Sequence, residues 1–188
     1  MTLLVVEIGV PETIAGDADD PGALLDAFAD KGPLVFAFFL GCYVIGSYWV
    51  AHHRFMSWLG AVDRGFIVLT VVYLSFVALL PFPTGVLGEF GENPTSVVAF
   101  ALNLGAVSTM EAVLFRHARR GRLFRQEWPE DVYRWALLSS LSPVLMFTLS
   151  LPVAFVEARL AILLWFLAIP LGMLLSRHRP ADASRYVA

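Results

Sequence analysis

Five stretches of this chain, residues 33–57, 65–87, 95–115, 133–155 and 158–176, are apolar over a length that crosses a bilayer. A spanning helix needs about 20 mostly apolar residues to cover a hydrocarbon core of about 30 Å. The composition agrees: 58% of the 188 residues are hydrophobic and 15% are charged, with a mean hydropathy of +0.71. A water-soluble domain carries about 25% charged residues. A chain of this size has too little interior to hide that much apolar surface, so the bilayer serves as its solvent. The expected fold is an all-α membrane protein forming one transmembrane domain.

Residues 1–9 are apolar but reach only about 13 Å as a helix, under half of a membrane core. They read as the remnant of a first span, which makes a six-transmembrane-helix bundle with five complete spans. A signal peptide is a poor reading, because no basic leader and no small-residue cleavage site accompany them. Residues 10–32 form an acidic loop bearing Glu12, Asp17, Asp19, Asp20, Asp26 and Asp30 against Lys31. Residues 23–29 within it suit a short amphipathic helix at the surface. Pro143, Pro152 and Pro170 fall within or near the last two spans, where membrane helices tolerate proline. The single cysteine, Cys42, lies in an apolar run and reads as a small buried hydrophobe.

Charge fixes the expected orientation. Arg116-His117-Ala118-Arg119-Arg120-Gly121-Arg122 continues through Arg125 to Arg134, and the 177–188 tail adds Arg177, His178, Arg179 and Arg185. With these segments in the cytoplasm, 11 of the 13 Lys and Arg lie inside, against Lys31 and Arg159 outside. The positive-inside rule therefore puts the basic loops and the C-terminus in the cytoplasm and the acidic loop outside.

Polar residues gather where the spans end, most densely at Trp49-Val50-Ala51-His52-His53-Arg54. Two imidazoles and a guanidinium are costly near hydrocarbon, so such a cluster usually has a use. One reading is an interfacial anchor, with the tryptophan in the aromatic belt and the arginine reaching phosphate. The other is a polar clamp that binds this helix end to a neighbouring helix beside a permeation path. A metal site is not expected, since adjacent histidines point about 100° apart and have no Glu or Cys partner at helical spacing. Glu111 sits about a turn inside the 95–115 span. A structural ion pair with Arg54, a histidine or the Arg116 cluster suits it better than a proton relay. Asn103, Ser108, Thr109, Ser139, Ser140 and Ser142 read as packing residues at helix contacts.

Enzyme signatures are absent: the sequence has no Gly-x-Ser-x-Gly elbow, no His-Glu-x-x-His and no Gly-rich phosphate loop. Thr84-Gly85-Val86-Leu87-Gly88 lacks a preceding pore helix and does not make a carbonyl-lined filter. The basic loop is accounted for by topology, so nucleic acid is not an expected partner, nor is a small-molecule substrate.

Three segments together resemble the TMEM175 family of potassium channels in its single-repeat prokaryotic form. They are Thr2-Leu3-Leu4-Val5-Val6-Glu7-Ile8 with Val10-Pro11; Tyr48-Trp49-Val50-Ala51-His52-His53-Arg54; and Leu79-Leu80-Pro81-Phe82-Pro83-Thr84 with Leu87-Gly88-Glu89. The match covers about residues 1–120; beyond that only the helix pattern agrees. The resemblance implies a homotetramer of six-helix subunits in the plasma membrane, passing K+ through a central pore lined by the first helix. It implies no cofactor beyond the permeant ion. Selectivity there rests on a narrow hydrophobic constriction rather than on carbonyl coordination. Thr2, Leu3 and Val6 would line the pore, and Trp49, His52, His53 and Arg54 would brace the pore helix from behind. The family hallmark Arg-x-x-x-Phe-Ser-Asp would lie just upstream of Met1, and about 15–20 further residues would complete the first helix. Two other classes compete: a proton-coupled transporter or proton leak using His52, His53 and Glu111, and a non-conducting membrane scaffold.

Overall fold

A computed structural model of the chain describes residues 21–91 and 93–186. Thr2, Leu3 and Val6, with the whole 1–9 segment, lie outside the described residues. The described chain opens with α1 (Pro21–Asp30) and then α2 (Gly32–Ser57), which begins with a proline in its first turn. At 26 residues, α2 is about 39 Å long, enough to cross a bilayer with some tilt.

The next span is α3 (Arg64–Leu79) followed by α4 (Pro81–Glu89). The helix runs on through Pro81, in keeping with the 65–87 stretch read from the sequence. Leu80 is itself helical, with φ −50° and ψ −38°, so the two segments run on as a 26-residue span, Arg64–Glu89. Pro81 occupies the first turn of α4, where its missing N–H is not needed. The Thr84 hydroxyl donates to the Leu80 carbonyl at 2.7 Å. Leu80, Pro81, Pro83 and Thr84 are all buried, so the break is enclosed by protein rather than by lipid.

After an Asn93 cap that accepts the Thr95 N–H at 2.9 Å comes α5 (Pro94–Arg120), then α6 (Glu130–Ala154). Pro143 deprives the Ser139 carbonyl of its helical donor, and the Ser142 hydroxyl supplies one instead at 2.8 Å. The last span is divided into α7 (Ala158–Phe166) and α8 (Ala168–Arg177), and a short 3-10 helix, Ala181–Arg185, follows. The protein is an all-α membrane protein with five described helical spans.

α5 is the axis of this arrangement. Half of its most apolar stretch is buried, against 6–22% in the other four spans. It packs on α3, α4, α6 and α7, while α2 packs chiefly on α4. The core falls into two clusters stacked along α5. One, toward its N-terminus, joins Leu80, Leu87, Val97, Phe100 and Leu104 to Ala154, Ala158 and Ala161. The other, at the arginine-rich end, joins Phe55, Leu59, Phe66, Leu114, Phe115, Leu123, Trp128 and Tyr133.

Phe115 is the hub of the second cluster. Its ring stacks on Tyr133 at 5.2 Å and meets Phe55, Phe124 and Trp128 within 5.7 Å. Between lipid-like helices, shape matching of this kind substitutes for a hydrophobic driving force. Phe115→Ala is expected to lower stability by about 3–5 kcal/mol, read as a large drop in the thermal midpoint of the detergent-solubilised protein.

Candidate functional site

The final turns of α2 carry two different surfaces. Tyr48, His52 and Phe55 recur at helical spacing and turn inward, while Trp49, Val50, His53 and Arg54 are exposed. On the outer face the Trp49 and His53 rings stack, 5.2 Å apart and 11° from parallel. On the inner face the His52 ring stacks on Tyr73 of α3 at 4.8 Å and meets Phe55 edge-on at 6.4 Å. The structure thus divides the four residues singled out in the sequence. Trp49, His53 and Arg54 form an outward group, and His52 belongs to the bundle interior.

Around His52 lies a polar cluster drawn from three spans. The Tyr73 hydroxyl donates to the Tyr48 carbonyl at 3.3 Å, and the Tyr48 and Ser108 hydroxyls share a hydrogen bond of 2.5 Å. Ser108 is fully buried, so it is a tie between α2 and α5 rather than a filler of space. Below it, Asn103 donates to the Phe76 carbonyl at 3.2 Å and ties α5 to α3. The His52 Nδ1 atom is buried without a hydrogen-bond partner.

Glu111 joins this cluster rather than an ion pair. It lies within electrostatic reach of the Tyr48 and Tyr73 hydroxyls, and among the described residues it has no cationic partner. The expected pairing with Arg54 or Arg116 is not made, because both guanidiniums occupy exposed positions. Arg116 lies five residues beyond Glu111, about 140° around the helix, which turns it away from the interior. His53 is exposed on α2, about 100° around the helix from His52. A continuous chain of His52, His53 and Glu111 does not form.

A further polar contact at this end of the bundle, not expected from the sequence, joins α3 to α5. Asp63 caps α3 with extended backbone, accepting the Phe66 N–H at 2.6 Å. Both its carboxylate oxygens also meet His117 Nε2 of α5, at 2.9 and 3.0 Å. Asp63 directly before a run of apolar residues is a helix-start signal; the identity of its distant partner is not. Gly65 makes room for the pair, since a Cβ there would come within 2.8 Å of the His117 ring.

A second clasp lies beside it. The Gly60 N–H donates to the Leu123 carbonyl at 2.8 Å and the Arg125 N–H to the Trp58 carbonyl at 3.0 Å. The Arg125 Nε donates to the Leu59 carbonyl at 2.9 Å. The loop after α2 is thereby fastened to the loop after α5.

The Phe66 N–H, then His117, hold the Asp63 carboxyl below its ordinary 3.8. A carboxyl with a depressed folded-state pKa stabilises the fold above the unfolded pKa and loses that contribution as pH falls through the folded one. The clasp is therefore intact at neutral pH and is lost only below about pH 3.8. Asp63→Asn is expected to lower the thermal midpoint at pH 7 by a few degrees and to flatten the midpoint's dependence on pH below 4. Gly65→Val, which crowds His117 but leaves the Phe66 N–H bond, is expected to lower the midpoint and to flatten that dependence only in part. An unchanged pH profile in both variants would count against the clasp.

Residues 1–81 match the family model of the endosomal/lysosomal potassium channel TMEM175. A potassium channel of Streptomyces collinus is 32% identical over 167 residues, which span 86% of this chain and 79% of that one. A potassium channel of Chamaesiphon minutus is 31% identical over 121 residues, 63% of this chain and 58% of that one. The fold is similar to the crystal structure of a lysosomal potassium-selective channel TMEM175 homolog from Chamaesiphon minutus. The TM-score is 0.74 at 22% identity, covering 94% of this chain and 88% of that one. Sequence similarity over most of both chains and agreement in fold lead to one conclusion: the chain belongs to the TMEM175 family.

Proposed function

We infer that this protein is a potassium channel subunit that passes K+ passively down its gradient, and is a transport protein rather than an enzyme. The observation that carries the reading is the 32% identity to a potassium channel across 79% of that channel's length. We assign Thr2, Leu3 and Val6 to the lining of a central pore, where narrow hydrophobic walls rather than carbonyl oxygens set permeation. Trp49, His53 and Arg54 brace the pore helix from behind, and the exposure of all three, with Trp49 stacked on His53, supports that role. His52 supports the same helix indirectly, by fixing the rotation of α2 through its stack on Tyr73.

A pore on a central axis needs several copies of the chain, and four is the expected number. The exposed Phe36, Phe39, Tyr43 and Trp49 of α2 supply an apolar face that other copies or lipid would cover. The bundle sits in the plasma membrane with its arginine-rich loop and C-terminus in the cytoplasm, as the asymmetry of 11 against 2 basic residues supports. Permeation of protons through His52, His53 and Glu111 has less support, because His53 is exposed, about 100° around α2 from His52.

Purified protein in liposomes is expected to release K+ down its gradient, with a reversal potential that follows K+ and ignores a pH gradient. Trp49→Ala and His53→Ala are expected to reduce the flux about ten-fold or more at equal protein density, since a displaced pore helix loses its alignment. A reversal potential tracking pH would favour a proton leak. Silence from the intact protein would favour a non-conducting scaffold.

A further inference from the structure

The loop that follows α5 holds a cavity of about 280 Å3 lined by Arg119, Arg122, Phe124, Gln126, Glu127 and Trp128. It stands apart from the polar cluster around His52 and from the outward face of α2. Its aromatic part is rigid: Trp128 is 2% exposed and stacks on Phe124 at 4.9 Å. Arg119 is held in place as well. It donates to the Trp128 carbonyl at 2.7 Å, lies over the Tyr133 ring at 5.1 Å, and reaches Glu130 at 3.4 Å. A guanidinium has five N–H donors, so these bonds leave Arg119 others to offer.

Arg122 is placed against the local preference of the backbone. Helix α5 ends in a Schellman motif, with the Leu123 N–H on the Ala118 carbonyl at 2.9 Å and the Arg122 N–H on the Arg119 carbonyl at 3.3 Å. The residue that turns left-handed in such an ending is usually glycine. Here it is Arg122, at φ 53°. The glycine stands one place earlier, because a Cβ at Gly121 would press on Leu123, the His117 carbonyl and Asp63 at 3.2–3.4 Å. A bulky residue in this conformation costs about 1–2 kcal/mol, and such outliers gather at binding sites. The result is an exposed Arg122 lining the same cavity as the fixed Arg119, against a single lining carboxylate, Glu127. Arg116 and Arg120, both exposed on the last turns of α5, add to the positive field.

We propose that this cavity binds a phosphate-bearing anion, clamped between Arg119 and Arg122. Paired guanidiniums match the oxygens of a phosphate by charge-assisted hydrogen bonds. The cavity is of a size for a headgroup rather than for a drug-sized molecule. The anion is the headgroup of an anionic phospholipid or a soluble phosphate. The cavity's position just past an apolar span, among Trp128 and Tyr133, sets it at headgroup depth.

The test is thermal unfolding of the intact protein in phosphatidylcholine nanodiscs, with phosphatidylglycerol added stepwise in one arm and inorganic phosphate in another. A saturable rise in midpoint is expected in at least one arm. A rise with the lipid alone identifies the headgroup, and a rise with inorganic phosphate identifies a soluble source. Arg122→Gly is expected to weaken the apparent affinity about ten-fold or more, while leaving the ligand-free midpoint unchanged or higher, because glycine suits the left-handed turn. Arg134→Gln, which removes the same charge outside the cavity, is expected to keep it. Equal weakening in both variants would reduce the effect to diffuse charge and overturn the site, as would the absence of a shift in both arms. The outcome does not depend on conduction.

Discussion

In hydrocarbon, apolar helices gain nothing from burying apolar faces against one another, so a few polar ties and interlocking rings must set how these spans align. Everything else in this structure rests on that constraint. α5 carries most of the ties: Ser108 to Tyr48 on α2, Asn103 to the Phe76 carbonyl on α3, and His117 to Asp63 at the start of α3. Each bond lies on the buried side of α5 or at its end, and together they define its rotation and depth. The aromatic cluster around Phe115 then fills the space that these bonds have fixed.

This fastening explains how α2 can be polar on both sides near its end. Its inward residues are held by Tyr73 and Ser108, so its outward residues, Trp49, His53 and Arg54, are presented at a set angle. A helix free to roll about its axis would offer no such surface. The loop clasp at Leu59 and Arg125 keeps the same end from fraying.

Much of the architecture was legible in the residues. The five spans follow from the length of apolar runs, and the facing of Trp49 and His53 follows from a four-residue spacing. The 65–87 stretch already carries a helix through Pro81, and the structure adds that buried Leu80 and Thr84 enclose that proline in protein. Glu111 was misread. Its neighbours along the chain are arginines, but helical phase sends those outward and sends Glu111 toward two tyrosines.

By itself, the sequence determined that this protein lives in a membrane, that its spans are helical, and which family it resembles. Those properties depend on local composition and short spacing, because the cost of exposing polar groups to hydrocarbon is levied on each segment separately. Only the tertiary structure decided that Asp63 meets His117, that Ser108 ties two helices, and that His52 stacks on Tyr73. Such pairings join residues 54 and 60 positions apart, and no local preference encodes which helix packs beside which.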